Sequence, residues 1–250
     1  MKALLLSLAL FFSIFSIHIE QLENLKRHQC LSSQVYFASV GMVRADGFRG
    51  TGTLIHPKVV ITAAHIVQNS KSLHFAIEEN KKTTLVKGFA VCHPGYVGMT
   101  SEKISRNDMD VDLALIFLET PLTKVPCCFL ADKQPQGVQP YFITGFGAWN
   151  GPEPSAPMDK KLTAVVSIEE RTKYLQTVSC LNTSALDLFG SARLGDSGGP
   201  LMAIDDHAKI EGLLSCIMHS KVDPTVCVYV SIYPHLKWIL ETIKEYNDNN

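Results

Sequence analysis

Short apolar or alternating stretches, separated by Gly, Pro, Asn and Asp, make up the chain from Val35 onward. This pattern is typical of an antiparallel β protein, whose strands end at turn-forming residues. No internal repeat or low-complexity segment interrupts the pattern. The predicted strands are Val35–Val43, Thr51–Ile55, Val59–Ala63, Leu113–Leu118, Gln139–Gly145, Lys161–Ile168, Pro200–Ala203, Ile210–Ser215 and Val226–Ser231.

Three further stretches lack a strand period. Residues 120–136 are rich in Pro and polar residues, so they are predicted to connect two β units. Residues 150–157 contain three prolines, which cannot donate to a sheet, and are predicted to form a surface loop. After Pro234, helical spacing predicts a short amphipathic helix that closes the chain, with its apolar face made by Leu236, Ile239, Leu240 and Ile243.

The amino terminus has the pattern of an export signal. Lys2 is followed by an apolar run from Ala3 to Ile14, too short to span a bilayer comfortably. Residues 1–16 are therefore predicted to be a signal peptide, and residues 17–34 an N-terminal extension or propeptide. A retained anchor is the alternative, since Ile17 and Ile19 prolong the apolar stretch. With the signal removed, no integral membrane span is expected.

Composition narrows the classes of partner. The 250 residues carry a formal net charge of -1, which argues against nucleic acid or an anionic membrane as the main partner. Seven cysteines in an exported chain predict some disulfides and at least one thiol outside them. Their spacing offers no C-x-x-C pair, so a structural metal is not expected. No other cofactor is expected either. The predicted location is secreted, meaning periplasmic or extracellular.

Three short motifs carry candidate chemistry. In Gly195-Asp196-Ser197-Gly198-Gly199-Pro200, glycines allow a tight turn that exposes a serine hydroxyl to a base and to backbone amides. The β-branched run before Ala63 and Ala64 ends at His65, where small neighbours leave room for an imidazole.

The third motif is a carboxylate before a strongly apolar stretch. Asp110 and Asp112 both precede Leu113–Leu118, where a partly buried carboxylate needs a hydrogen-bonding partner such as a histidine ring N–H. The two aspartates share a face by the strand period of two, so periodicity does not choose between them.

As a set, T-A-A-H, D-L-A-L-I and G-D-S-G-G-P-L, in this order, resemble the chymotrypsin/trypsin-like serine peptidases. The resemblance extends over roughly residues 35 to 240. It implies two antiparallel six-stranded β-barrels, at about residues 35–120 and 137–233, and a C-terminal helix at about residues 234–246 of a peptidase domain spanning 35–250. The catalytic cleft would lie between the barrels.

The same resemblance implies the roles of individual residues. His65 would be the general base, Asp112 its orienting carboxylate and Ser197 the nucleophile, because Asp112 directly precedes the family's apolar-Ala-Leu string. The amides of Gly195 and Ser197 would form the oxyanion hole. Ser215 matches the serine that supports the triad aspartate and binds substrate backbone.

Primary specificity is also implied by position. Ser191, six residues before Ser197, would lie at the pocket base, and it carries no charge for binding Lys or Arg. Ile217 and Cys227 would form the pocket walls and shorten the pocket. These residues together predict preference for small or medium apolar residues before the cut.

The chain departs from the family in its cysteines and its amino terminus. Gly50, Ile66, Tyr141, Ala203 and Arg193 occupy positions where relatives carry disulfide cysteines. Alternative bridges are Cys216–Cys227 and Cys30 with Cys127 or Cys128, while buried thiols are an equally open alternative. The Ile-Val-Gly-Gly terminus whose ammonium pairs with the family's equivalent of Asp196 is absent from the sequence.

The resulting hypothesis is a secreted serine endopeptidase acting through an acyl-enzyme on Ser197. Its expected partner is a polypeptide substrate, with a proteinaceous inhibitor as a second candidate and no nucleic acid. The alternative is a catalytically silent peptidase homologue that acts as a binding protein.

Overall fold

The amino-terminal part of the structure is helical before the first strand begins. The computed structural model describes residues 25–79, 82–98, 106–134, 141–147, 161–179, 192–203, 209–218 and 226–249. Helix α1 covers residues 25–32, and a 3-10 turn follows at Val35–Phe37. The predicted strand Val35–Val43 therefore begins too early, because its first residues form this turn and bury Phe37.

Six antiparallel strands form a closed barrel in the order β1-β2-β3-β6-β5-β4. The one-turn helix α2, Ala64–Val67, follows β3, and α3, Arg106–Met109, precedes β6. All residues of β3 and β6 are buried, as expected of continuous apolar runs at the centre of a core. The strands are β1 (Val40–Ala45), β2 (Phe48–His56), β3 (Val59–Thr62), β4 (Leu73–Glu79), β5 (Lys82–Cys92) and β6 (Ala114–Leu118).

Within the described residues, a second sheet contains seven strands in the order β11-β8-β9-β10-β13-β12-β7. Strands β11 and β12 also pair with each other, which closes six of these strands into a ring, while β7 adds to β12 in parallel. The predicted architecture is confirmed. The strands are β7 (Phe129–Leu130), β8 (Tyr141–Gly145), β9 (Leu162–Arg171), β10 (Leu175–Ser179), β11 (Pro200–Ala203), β12 (Lys209–Met218) and β13 (Val226–Ser231).

One core cluster joins the two barrels and the C-terminal helix. Ile61 and Phe117 of the first barrel pack in the same cluster as Leu213 of the second. Helix α4, Leu236–Asp248, contributes the fully buried Ile239 to that cluster. The predicted helix is therefore present, although Pro234 lies in the preceding 3-10 turn Tyr233–His235 rather than in the helix itself.

The segment comprising residues 25–37, here called the N-terminal strap, is tied to the second barrel at the start of β9. The buried His28 ring nitrogen Nδ1 lies 2.7 Å from the Thr163 carbonyl, and Ser32 Oγ donates to the Lys161 carbonyl at 2.8 Å. In return, Lys161 Nζ donates to the Phe37 carbonyl at 2.7 Å, and burial lowers the pKa of this lysine. The strap thus connects the two barrels ahead of β1.

The six cysteines in the described part of the chain form no disulfide, and Cys180 lies outside the described residues. Cys216 faces Val228 across the β12–β13 ladder, whereas Cys227 faces Ile217. Since neighbouring strand residues point to opposite faces, Cys216 and Cys227 pack in different core clusters. The predicted Cys216–Cys227 bridge is wrong for this reason, and Cys30 is likewise not bridged to Cys127 or Cys128.

Candidate active site

His65 is the second residue of α2, not the end of a strand as the sequence pattern predicts. Strand β3 stops at Thr62, and the buried Ala63 and Ala64 turn the chain into this single helical turn. About a quarter of the His65 side chain remains exposed (25%), so one edge of the imidazole is open to solvent or substrate.

Asp112 lies in the short segment between α3 and β6 and is fully buried. Its Oδ1 accepts the His65 backbone N–H at 2.9 Å, and its Oδ2 is 2.7 Å from His65 Nδ1. Ser215 Oγ donates to the same Oδ2 at 2.7 Å. A desolvated carboxylate needs such donors, and together they fix His65 with its Nδ1 proton toward Asp112.

The geometry brings Asp112, and not Asp110, to the histidine. Asp110 lies in the turn after α3, and neither aspartate belongs to a strand, so the period-of-two argument does not apply to them. The backbone carbonyl of Asp110 instead bonds to His235.

The turn that carries Ser197 depends on two glycines with positive φ, Gly195 at 104° and Gly198 at 76°. Within the turn, the Asp196 amide donates to the Arg193 carbonyl at 2.9 Å. A side chain at Gly198 would collide with Thr62 Oγ1 and the Thr51 carbonyl, and would lie 2.8 Å from the Ala63 nitrogen. The turn is therefore pressed against the residues that lead into His65.

Thr51 of β2 braces this turn from the first barrel. Its amide donates to the Ser197 carbonyl at 2.8 Å, and its hydroxyl donates to the Gly195 carbonyl at 3.0 Å. The Phe146 amide donates to the same hydroxyl oxygen at 3.1 Å. Sequence reasoning missed Thr51, and its place in the G-T-G-T string before β3 gave no local signal of contacts so distant in sequence.

Two backbone donors next to Ser197 are available. Among the described residues, neither the Gly195 amide nor the Ser197 amide donates a hydrogen bond within the protein, and no hydrogen bond joins Ser197 Oγ to His65. Two unused amides within one tight turn can hold an oxyanion.

The neighbouring carboxylate, Asp196, is held by backbone donors. Its Oδ1 accepts the Gly147 amide at 2.6 Å and its Oδ2 accepts the Arg193 amide at 2.8 Å. Although part of the residue reaches the surface, the carboxyl is surrounded by protein, and this burial raises the pKa of Asp196 to about 6 against the effect of the two amides. A side chain at Gly145 or Gly147 would collide with the carboxyl.

The predicted pocket residues are described only in part. Ser191 lies outside the described residues. Ile217, two residues after Ser215 in β12, faces Cys227 near the start of β13 across the β12–β13 ladder. Cys227 is buried in the core of the second barrel, and Ile217 packs against the same cluster while remaining partly exposed.

Two β-barrels with a buried Asp–His pair and a glycine-bounded serine turn at their junction define a chymotrypsin-like protein. A protein-family model described as Trypsin matches residues 28–239. This match covers most of the chain, so the chain belongs to the trypsin family.

Individual relatives agree with this assignment. Snake venom serine protease KN9 of Trimeresurus stejnegeri is 26% identical over 212 residues, covering 81% of this chain and 80% of that protein. Vitamin K-dependent protein C of Mus musculus is 27% identical over 225 residues, covering 78% of this chain and 46% of that protein. The solved structure of neuropsin, a serine protease of mouse brain, matches with a TM-score of 0.65 and 21% identity over 82% of this chain and 94% of its own, which supports the fold.

The described part of the chain has neither a membrane-spanning helix nor a cluster of metal ligands. Its helices include none with the length and apolar character needed to cross a membrane. It also contains no group of three or more His, Cys, Asp or Glu side chains placed to hold a metal ion.

Proposed function

We propose that this protein is an active serine endopeptidase with Ser197 as nucleophile. Ser197 Oγ attacks the carbonyl carbon of the scissile peptide bond while His65 Nε2 takes the hydroxyl proton. The oxyanion accepts hydrogen bonds from the Gly195 and Ser197 amides. His65 then gives its proton to the leaving amine, and a water molecule activated by the same imidazole hydrolyses the acyl-enzyme.

The observation that carries this proposal is the environment of Asp112. A fully buried carboxylate that bonds both the backbone and the ring of His65 favours the tautomer whose Nε2 can accept a proton. Ser215 adds a third donor, which supports the ionised carboxylate. A binding protein would have no need to orient this imidazole, so the arrangement favours catalysis over the silent homologue.

The test is labelling with a fluorophosphonate probe, which forms a covalent bond only with an activated serine. Purified, processed protein should be labelled at Ser197, as mapped by mass spectrometry, and Ser197→Ala should abolish labelling. Ser33→Ala, which changes an exposed serine of the strap, is the matched control and should leave labelling unchanged. Folded wild-type protein that takes up no label, with its mature N-terminus sequenced, would instead favour the binding-protein alternative.

For the substrate, the proposal includes small or medium apolar residues before the cut. Its support is the Ile217 side chain and the adjacent Cys227, at positions where the family often has glycine. A peptide library should show cleavage after residues of about the size of Ala or Val, and Ile217→Gly should shift the preference toward larger apolar residues. Strong cleavage after Arg or Phe by the wild-type protein would contradict this preference.

Export from the cell completes the proposal. The apolar residues 3–14 after Lys2 support a signal peptide, and several relatives are described as snake venom proteases. A polypeptide substrate met outside the cell, with a proteinaceous inhibitor as a further partner, is consistent with this location.

A further inference from the structure

Two histidines outside the Asp–His pair meet beside the segment that carries Asp112. His93 follows β5, and His235 ends the 3-10 turn before α4. Their rings contact edge to face, with centroids 5.0 Å apart and an interplanar angle of 82°. Trp238 of α4 packs on His93 with a centroid distance of 4.9 Å.

Each histidine bonds one end of this segment, residues 110–113. The His93 backbone amide donates to the Leu113 carbonyl at 2.9 Å. One ring nitrogen of His235 bonds to the Asp110 carbonyl, and Nε2 is buried without a hydrogen-bond partner, so the bonding nitrogen is Nδ1. Asp112 thus lies between two attachment points, one from the first barrel and one from the segment after β13.

We propose that His235 is a positioning residue for Asp112, holding the Asp110 carbonyl with its Nδ1–H while His93 supports its ring. The proposal rests on the proposed function, because it assigns His235 to the same catalytic site. Displacement of the Asp110 carbonyl moves the Asp112 carboxylate relative to His65, and small displacements of catalytic groups reduce rates steeply.

Burial and two neighbouring basic groups oppose the protonation of His235, whereas the hydrogen bond to the Asp110 carbonyl favours it. Burial lowers the pKa of His235 to about 4, with further contributions from His93 and from Lys173, whose ammonium lies over the Tyr174 ring. The Tyr174 ring itself packs 5.9 Å from His235. Burial also lowers the pKa of His93. The folded protein therefore favours the neutral forms of His93 and His235.

The variants separate the hydrogen bond from the packing. His235→Phe keeps a ring but removes the donor, and it should reduce the rate constant for Ser197 labelling by a fluorophosphonate probe roughly tenfold. His235→Asn keeps a side-chain donor near the Nδ1 position, and it should label within about threefold of the wild-type rate. The control His74→Phe, on β4, should label at the wild-type rate.

Hydrogen exchange of peptides covering residues 106–118 gives a second readout that needs no activity. His235→Phe should reduce protection of residues 106–113 within these peptides while β3 and β6 stay protected, and His235→Asn should restore it. In the wild type, protection should fall as pH is lowered from about 6 to about 4, because burial lowers the pKa of His235 to about 4. The fall should be smaller in the Asn variant, in which His93 still has a lowered pKa but His235 is absent.

The two hypotheses fail in different ways. Wild-type protection of residues 106–118 and wild-type labelling in His235→Phe would overturn the role of His235. If the wild-type protein is never labelled, the proposed function fails, while hydrogen exchange still decides whether His235 holds the segment. If His235→Phe does not fold, a pH-dependent loss of protection as large in His235→Asn as in the wild type overturns the proposal.

Discussion

At the scale of the residue, Asp196 combines burial with hydrogen bonding in a way that makes stability depend on pH. An ionised carboxylate in a protein environment loses hydration, and the amides of Gly147 and Arg193 compensate for only part of that loss. The folded protein therefore retains the Asp196 proton over a pH range in which the unfolded chain has released it.

The sign of the effect follows from the raised pKa. The contribution of Asp196 to stability is fully present below its unfolded value of 3.8 and is lost as pH rises to about 6. In a Ser197→Ala background, which would prevent self-digestion by the proposed activity, Asp196→Asn should remove this loss. The free energy of unfolding of the Asn variant, relative to its parent, should rise by about 1 to 3 kcal/mol between pH 4 and pH 6.

Denaturant titrations at several pH values measure this difference. Asp248→Asn, at the exposed end of α4, is the matched control and should not change the pH profile. An Asp196→Asn profile parallel to that of the parent would show that the carboxyl is not the group responsible.

At the scale of the element, the sequence pattern predicts the strands that are buried along their whole length, because these strands are continuous runs of apolar residues. β3, β6, β11 and β13 are almost fully buried, and their apolar runs predict them with bounds within a residue or so. β5 is different, because Val86 is its one buried residue while Leu85 and Phe89 are exposed. Its place in the barrel depends on backbone ladders to β4 and β6, which composition does not reveal.

The same limit applies to the candidate site. His65, Asp112 and Ser197 each lie within or beside a local motif, so the sequence can nominate them. The contacts of Thr51 with the Ser197 turn and of His235 with Asp110 join residues far apart in sequence, and no periodicity reports them. The preference for Asp112 over Asp110 likewise depended on resemblance, because the local pattern treated both residues alike.

At the scale of the whole molecule, the N-terminal strap contributes to the joining of the barrels. Ser32→Ala removes the hydroxyl that donates to the Lys161 carbonyl and, within the strap, to the Gln29 carbonyl, and it should lower the free energy of unfolding by about 1 kcal/mol. For a protein of this size, the melting temperature should fall by about 2 to 4 °C. Thermal and denaturant unfolding in the Ser197→Ala background measure both quantities.

Ser33→Ala is the matched control for this prediction. The Ser33 hydroxyl is exposed and bonds within the strap to the Cys30 carbonyl, so its removal should change stability by less than about 0.5 kcal/mol. Equal losses in the two variants would show that the contact with the second barrel adds nothing to stability.

The strap also constrains the order of events during synthesis. His28 and Ser32 bind residues 135 and 129 positions further along the chain, so a ribosome exposes the strap long before it has made its binding site. Domains generally fold in the order in which they emerge, and the first barrel has all six of its strands before β9 exists. Docking of the strap is consequently a late step in maturation, and it joins two barrels that were built at different times.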